Sequence, residues 1–235
     1  MGCAHSTPGN PDQFNNWTAT DATNSSPCPF VNSFANHGVI PRTGITIDSL
    51  KAALSTFQAD ETLIKFLTGS TTQGLFKDVD GTQQATLADL GTHNVIEHDA
   101  SLSRQDAAAG DAIHLDPELL AALIAHSSDG QYLTKEHLAH YRAIREEHSK
   151  ANNPDFKFDL KQQFVAYGEA ALLLLALKDT TGNIRIDWLK MVFEQEKLPL
   201  ELGWTVRPIT FDEVLLTAGE LRGEAFEKTI VDLFY

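Results

Sequence analysis

The sequence is poor in cysteine. Only Cys3 and Cys28 occur among 235 residues, too few for a disulfide framework and without a CxxC pair for zinc or dithiol redox chemistry. Positive charge is scarce too: 18 Lys and Arg stand against 32 Asp and Glu, a net charge of −14. Nucleic-acid binding needs clustered Lys and Arg opposite phosphate, and adsorption to anionic lipid needs a similar basic patch. Both partner classes are therefore disfavoured, and a small uncharged substrate fits the charge balance better. No apolar run reaches the length of a membrane span; the longest, around Phe164–Leu177, carries Glu169. There is no Gly-rich phosphate loop, no G-x-S-x-G elbow, no internal repeat and no long alternating strand.

Helical periodicity fills this space. Residues 1–27 read as a polar, extended N-terminal arm without its own core, and residues 28–235 as one domain. Pro29 suits a first helical position and Gly38 a C-terminal stop, which predicts a helix over Pro29–Asn36. Asp48 is the expected N-cap of a helix that carries Leu50, Ala53, Leu54 and Phe57 on one face. Glu61–Leu67 continues helically, and Ser70–Thr82 reads as a connection. A helix starting near Thr86 is expected to carry Leu87, Leu90, Val95 and Ile96. Asp116-Pro117 opens another, and Thr134 caps one that runs to about Lys150. An apolar helix spans about Asp159–Lys178, a further one Asp187–Lys197, and Asp212–Phe234 closes the chain with one or two helices, Gly223 being a possible break. The fold class is all-α, with at most a minor hairpin near Ile184–Ile186.

The N-terminal arm carries addressing signals of opposite sense. Met1-Gly2-Cys3-Ala4-His5-Ser6 has no secretory apolar region, but it fits the N-myristoylation pattern, with Cys3 open to palmitoylation. Asn16-Trp17-Thr18 and Asn24-Ser25-Ser26 are glycosylation triplets, which favour secretion. Secretion is the expectation, with an intracellular, acylated protein as the alternative.

Three segments carry chemistry. Cys28, between Pro27 and Pro29, precedes a helix whose first free amides belong to Phe30 and Val31; donors there stabilise a thiolate and tune any metal bound to it. An inert buried thiol is the other reading. Glu97 and Ser101 would lie one helical turn apart, on the stripe of Leu87, Leu90 and Asn94, as oxygen ligands for a hard cation or as a solvated helix end. His98 beside them could be a satisfied core histidine. Glu169 sits in an almost wholly apolar helix. Burial there would raise its pKa towards that of a general acid–base group, unless the helix edge reaches water. Glu136-His137-Leu138-Ala139-His140 lacks the order of a metalloprotease helix and reads as a charged, solvated face.

Together Pro27-Cys28-Pro29, Glu97-His98-Asp99-x-Ser101-x-Ser103-Arg104 and Glu169 resemble the fungal haem-thiolate peroxidases, chloroperoxidase and the unspecific peroxygenases. The length and the His of Glu-His-Asp resemble the short peroxygenase branch. The resemblance implies the helical haem fold of the chloroperoxidase type, with Cys28 as the axial thiolate of haem b. It implies that Glu97, Ser101 and the carbonyl of His98 hold Mg²⁺ (or Mn²⁺) beside a haem propionate. Glu169 would then move a proton between the two oxygens of hydrogen peroxide, and His98 would orient Glu169 and steady its charge. The activity implied is hydrogen-peroxide-dependent hydroxylation, epoxidation and sulfoxidation of small apolar or aromatic compounds, together with one-electron oxidation of phenols, without a redox partner protein.

Val165 and Leu172, at i−4 and i+3 from Glu169, and Ile96 are the candidate walls of the substrate pocket; being aliphatic, they predict a roomy entrance. Some short members bridge a dimer through a C-terminal cysteine. This sequence ends Val231-Asp232-Leu233-Phe234-Tyr235, so a monomer or non-covalent dimer is expected. The rival readings are a chloroperoxidase-like halogenating enzyme, a non-catalytic haem-binding module, and an acylated peripheral membrane protein.

Overall fold

The computed structural model describes residues 14–19 and 23–234. The Gly2 and Cys3 acylation signals lie outside the described residues. In chain order the elements are α1 (Pro29–Asn36), α2 (Ile47–Thr56), α3 (Glu61–Leu67), the single turn α4 (Ser70–Gln73), β1 (Lys77–Val79), β2 (Thr82–Gln84), α5 (Pro117–Ala125), β3 (Tyr132–Leu133), α6 (Lys135–Asn152), α7 (Leu160–Leu177), β4 (Ile184–Arg185), α8 (Ile186–Glu194) and α9 (Phe211–Phe234). The fold is mostly α, as expected, and its strands form only two small antiparallel pairs, β1–β2 and β3–β4.

Local chemistry explains most helix starts. Asp116 accepts from the amides of Glu118 and Leu119, and Pro117 fills the first position. Thr134 and His137 form a reciprocal capping pair at the start of α6. The cap of α2 is Thr46 rather than Asp48: its side chain accepts from Ser49 N and Ser49 answers back, which leaves Asp48 in the first turn. Leu and Ala, strong helix formers, fill most of α7. That helix is buried over Ala170, Ala171 and Leu173–Leu177, as a helix apolar around most of its girth must be. α9 packs along both α6 and α7 and runs unbroken through Gly223.

Two segments depart from expectation. Ser70–Thr82 is not a plain connection, because Asp80 and Gly81, at φ +51° and +81°, make the tight turn joining β1 to β2. The expected helix from Thr86 to Ile96 is absent. A short 3-10 turn over Ala88–Gly91 is followed by irregular chain through Ser101, with Asn94 and Ala100 at positive φ. The helical stripe proposed for Glu97 and Ser101 is therefore wrong; tertiary contacts hold both residues instead.

The described part of the N-terminal arm is not detached. Phe14 is fully buried against Phe34, Phe57 and His37, and Trp204 stacks on Phe57 to extend this aromatic cluster.

Candidate active site

Cys28 is the N-cap of α1. The amides of Val31 and Phe30 bear on its sulfur and favour the thiolate, although neither closes a cap hydrogen bond. The residue is open to solvent, yet burial is the largest influence on its thiol and pushes its pKa up. The charge of Glu169 raises the Cys28 pKa further, and that of Arg104 lowers it.

A buried polar network holds the Cys28 loop. Asn32 Oδ1 accepts from Ser26 N and Ser26 Oγ, both at 2.9 Å. Asn32 Nδ2 donates to Ser26 O at 2.8 Å and to Glu196 Oε1 at 2.6 Å. Cys28 N donates to Ser26 Oγ at 3.3 Å. Glu196 itself sits at φ +49°, and its carbonyl accepts from Trp17 and Asn36. Glu196 carries no local signal of this role, because its partner Asn32 is 164 residues away.

The Glu97–Ser101 segment keeps its irregular path through buried charges on α6. Arg142 donates to the Ala100 carbonyl and Arg145 Nε to the Ser101 carbonyl at 2.8 Å. Asp106 accepts from Ala100 N at 2.8 Å, Ser149 Oγ at 3.0 Å and Asn153 Nδ2 at 3.0 Å. Buried arginines and aspartates survive only when partnered, and here their partners are the backbone groups a helix would have satisfied. The inward face of Arg142, Arg145 and Ser149, at i, i+3 and i+7 on α6, was a readable sign of this scaffold.

Glu97 is buried and accepts from or shares a proton with His93 Nδ1 at 2.6 Å. Burial raises its pKa, His93 opposes, and the neighbouring Asp99 adds to the rise. Asp99 Oδ2 accepts from Lys157 N at 3.0 Å, while Oδ1 is buried without a partner. Two crowded carboxylates with an orphaned oxygen fit a hard cation completed by hydroxyl and carbonyl oxygens. Among the described residues no cluster of three His, Cys, Asp or Glu side chains could hold a metal alone.

His98 Nε2 lies 3.2 Å from Glu169 Oε2, and His98 Nδ1 lies 2.7 Å from the Asp99 carbonyl. A carbonyl only accepts, so Nδ1 carries a hydrogen. Burial, the largest influence, lowers the His98 pKa; the charge and hydrogen bond of Glu169, helped by the Asp99 carbonyl and opposed by Arg142, outweigh it and set it above the ordinary His value. Glu169 is not buried as the apolar run suggested. Its side chain is 52% exposed, because its face of α7 turns to solvent while Ala170 and Ala171 enter the core. Ile96 and Val165 line one narrow crevice with Glu97 and His98. Leu172 does not reach that crevice and packs on the core.

The model of the family "Peroxidase, family 2" matches residues 15–209. The chain belongs to this family. It is 26% identical over 197 residues to an aromatic peroxygenase of Coprinellus radians, an alignment covering 74% of this chain and 76% of that one. An aromatic peroxygenase of Cyclocybe aegerita is 28% identical over 74% of the chain but only 53% of its own length. A dothistromin biosynthesis peroxidase of Dothistroma septosporum is 31% identical over 67% of the chain and 42% of its own. The chain thus spans about three quarters of the first relative and about half or less of the others.

The chemistry of the residues is compatible with the haem that this family of peroxidases suggests: Cys28 is a solvent-reachable thiol at a helix N-terminus, and a half-exposed carboxylate is paired to an imidazole. A protonated free thiol gives up its proton when a metal takes the sulfur, so the raised Cys28 pKa does not oppose ligation.

Proposed function

We propose that the chain is a hydrogen-peroxide-dependent haem-thiolate peroxygenase acting on small apolar or aromatic compounds, in which the Cys28 sulfur would hold the haem iron and Glu97, Ser101 and the His98 carbonyl would hold Mg²⁺. The observation that carries this reading, beside the family match, is the 3.2 Å contact of His98 Nε2 with Glu169 Oε2. The haem would supply the oxidising centre that cleaves the peroxide bond and delivers oxygen or takes single electrons.

The residues supply proton control. With Nδ1–H fixed on the Asp99 carbonyl, a proton on the other side of the ring is shared between Nε2 and Glu169. Glu169 would take a proton from the inner oxygen of hydrogen peroxide and return it to the outer oxygen, which leaves as water. His98, as imidazolium, would steady the carboxylate, and as neutral imidazole would accept from the carboxylic acid. Half-exposure of Glu169 lets peroxide reach it. Ile96 and Val165 would present an aliphatic wall to the substrate. The Asn24-Ser25-Ser26 triplet is tied into the fold through Asn24 Nδ2 donating to the Arg42 carbonyl at 2.8 Å and the buried Ser26, so secretion rests on Asn16 alone as a glycosylation signal.

The test is optical and chemical. The reduced, carbon monoxide-treated protein should show the far-red-shifted Soret band of thiolate-ligated haem, and Cys28→Ser should lose it. Naphthalene hydroxylation by peroxide should exceed chlorination of an activated diketone; the reverse ratio makes the site a halogenating one. Protein purified without porphyrin from a haem-replete host ends the proposal.

A further inference from the structure

His93 lies in the irregular chain that leads to Glu97, and its Nδ1 is 2.6 Å from Glu97 Oε2. A spacing of four residues would bring the two together on a helix, but a tight loop joins them here instead. Asn94, at φ +63°, donates its amide to the Glu97 carbonyl at 3.0 Å. The backbones of His93 and Glu97 form an isolated β-bridge. Lys161, at the start of α7, donates to the Asn94 carbonyl at 3.3 Å, which ties this loop to the helix that carries Glu169.

The two side chains differ in exposure: that of Glu97 is 4% exposed and that of His93 40%. A carboxylate withdrawn from water needs donors, and His93 supplies the one hydrogen bond to this carboxylate among the described residues. An ionised carboxylate only accepts, so the hydrogen of that bond is on Nδ1. The nitrogen facing Glu97 is therefore a donor and not a metal ligand. With Oε2 held from one side, Oε1 makes no hydrogen bond among the described residues. One oxygen engaged and one left free suits a carboxylate that gives a single oxygen to a hard cation. Groups that hydrogen-bond a metal ligand fix its orientation and strengthen the site.

We propose that His93 is a positioning residue for the divalent cation: it holds Oε2 of Glu97, leaves Oε1 for the ion, and so sets how tightly Mg²⁺ or Mn²⁺ binds. The inference rests on the reading of Glu97 as a ligand. It differs from a purely structural role in a measurable way. If His93 only satisfied a buried carboxylate, its loss would lower the thermal midpoint and leave the affinity for the ion unchanged.

The purified full chain, dialysed free of divalent ions, is titrated with Mn²⁺, and the free ion is read by electron paramagnetic resonance. A saturable site is expected in the parent. His93→Phe keeps a ring at this half-exposed position and removes the donor. It should raise the Mn²⁺ dissociation constant about 10–100-fold, the usual effect of losing a group that orients a metal ligand. His93→Asn places an amide N–H near the former Nδ1 and should recover most of that loss. Parent-like affinity in His93→Phe, while Glu97→Gln binds weakly, overturns the role of His93 and spares the metal reading. No recovery in His93→Asn, with a parent-like thermal midpoint, overturns it as well. A parent without a saturable Mn²⁺ site removes the metal reading and this inference with it.

Discussion

The imidazole of His98 stands 3.2 Å from the carboxylate of Glu169, although 71 residues separate them in the chain. The loop supplies the ring and α7 the acid, and each is held from behind, His98 by the Asp99 carbonyl and Glu169 by a buried helix. If this pair moves protons, Glu169→Gln keeps the fold, the hydrogen bond to His98 and the haem spectrum, but loses peroxide-dependent hydroxylation by about 10²–10⁴-fold. Stopped-flow mixing with peroxide reads this directly; an unchanged peroxide reaction would support a haem-binding module without catalysis.

The Ser26–Asn32–Glu196 network makes a second expectation. Asn32 is fully buried and satisfies both the amide and the carbonyl of Ser26, two residues before Cys28. Asn32→Leu strands the Ser26 amide and the Glu196 carboxylate, at a cost of about 1–3 kcal/mol for each buried polar group left unpaired. Urea unfolding should show the loss. The carbon monoxide spectrum should show partial conversion to the form lacking a thiolate ligand, because the loop presenting Cys28 is no longer pinned.

Stability should fall on mild acidification through His37. Its Nδ1 lies 2.7 Å from the Asn16 carbonyl and its Nε2 accepts from Leu198 N at 3.1 Å. Only the neutral ring with hydrogen on Nδ1 satisfies both. Burial, the largest influence, lowers its pKa against the pull of the Asn16 and Phe14 carbonyls. A depressed histidine lends stability above its unfolded pKa of about 6.5, and this is lost as pH falls from there towards the folded value. Denaturation midpoints at pH 7 and pH 5 should therefore differ less in His37→Gln than in the parent.

Gly91 is required by space rather than by backbone conformation. A Cβ there would collide with Ile113 Cδ1 and approach Pro27 Cδ at 3.3 Å, beside the Cys28 loop. Gly91→Ala should cost about 1–3 kcal/mol by overpacking, and Ile113→Val in the same chain should restore part of it. Thermal melts of the four variants form the cycle that checks this.

Much of the helical frame was readable because its signals are local. Asp116-Pro117, Thr134 and the Pro29 start act within four residues, and the Leu/Ala run of α7 tolerates no other state. The segment after Thr86 was misread for the opposite reason. Its periodic Leu87, Leu90, Val95 and Ile96 resemble a helix face, but Arg142 and Arg145, 42 and 44 residues from their partners, take the Ala100 and Ser101 carbonyls at its end, and no local window contains them. Burial of Glu169 was likewise overestimated, since an apolar sequence around a carboxylate does not say whether that face meets the core or a recess.

Residue types and order alone determined the family and the helical class, and they put forward Cys28, His98 and Glu169 as candidates, because chemistry of this kind needs particular atoms in a particular chain order. Tertiary structure alone decided that His98 reaches Glu169 and that Asn32 and Glu196 brace the cysteine loop. Those are contacts between side chains 71 and 164 positions apart, and only packing of the helices sets their distances.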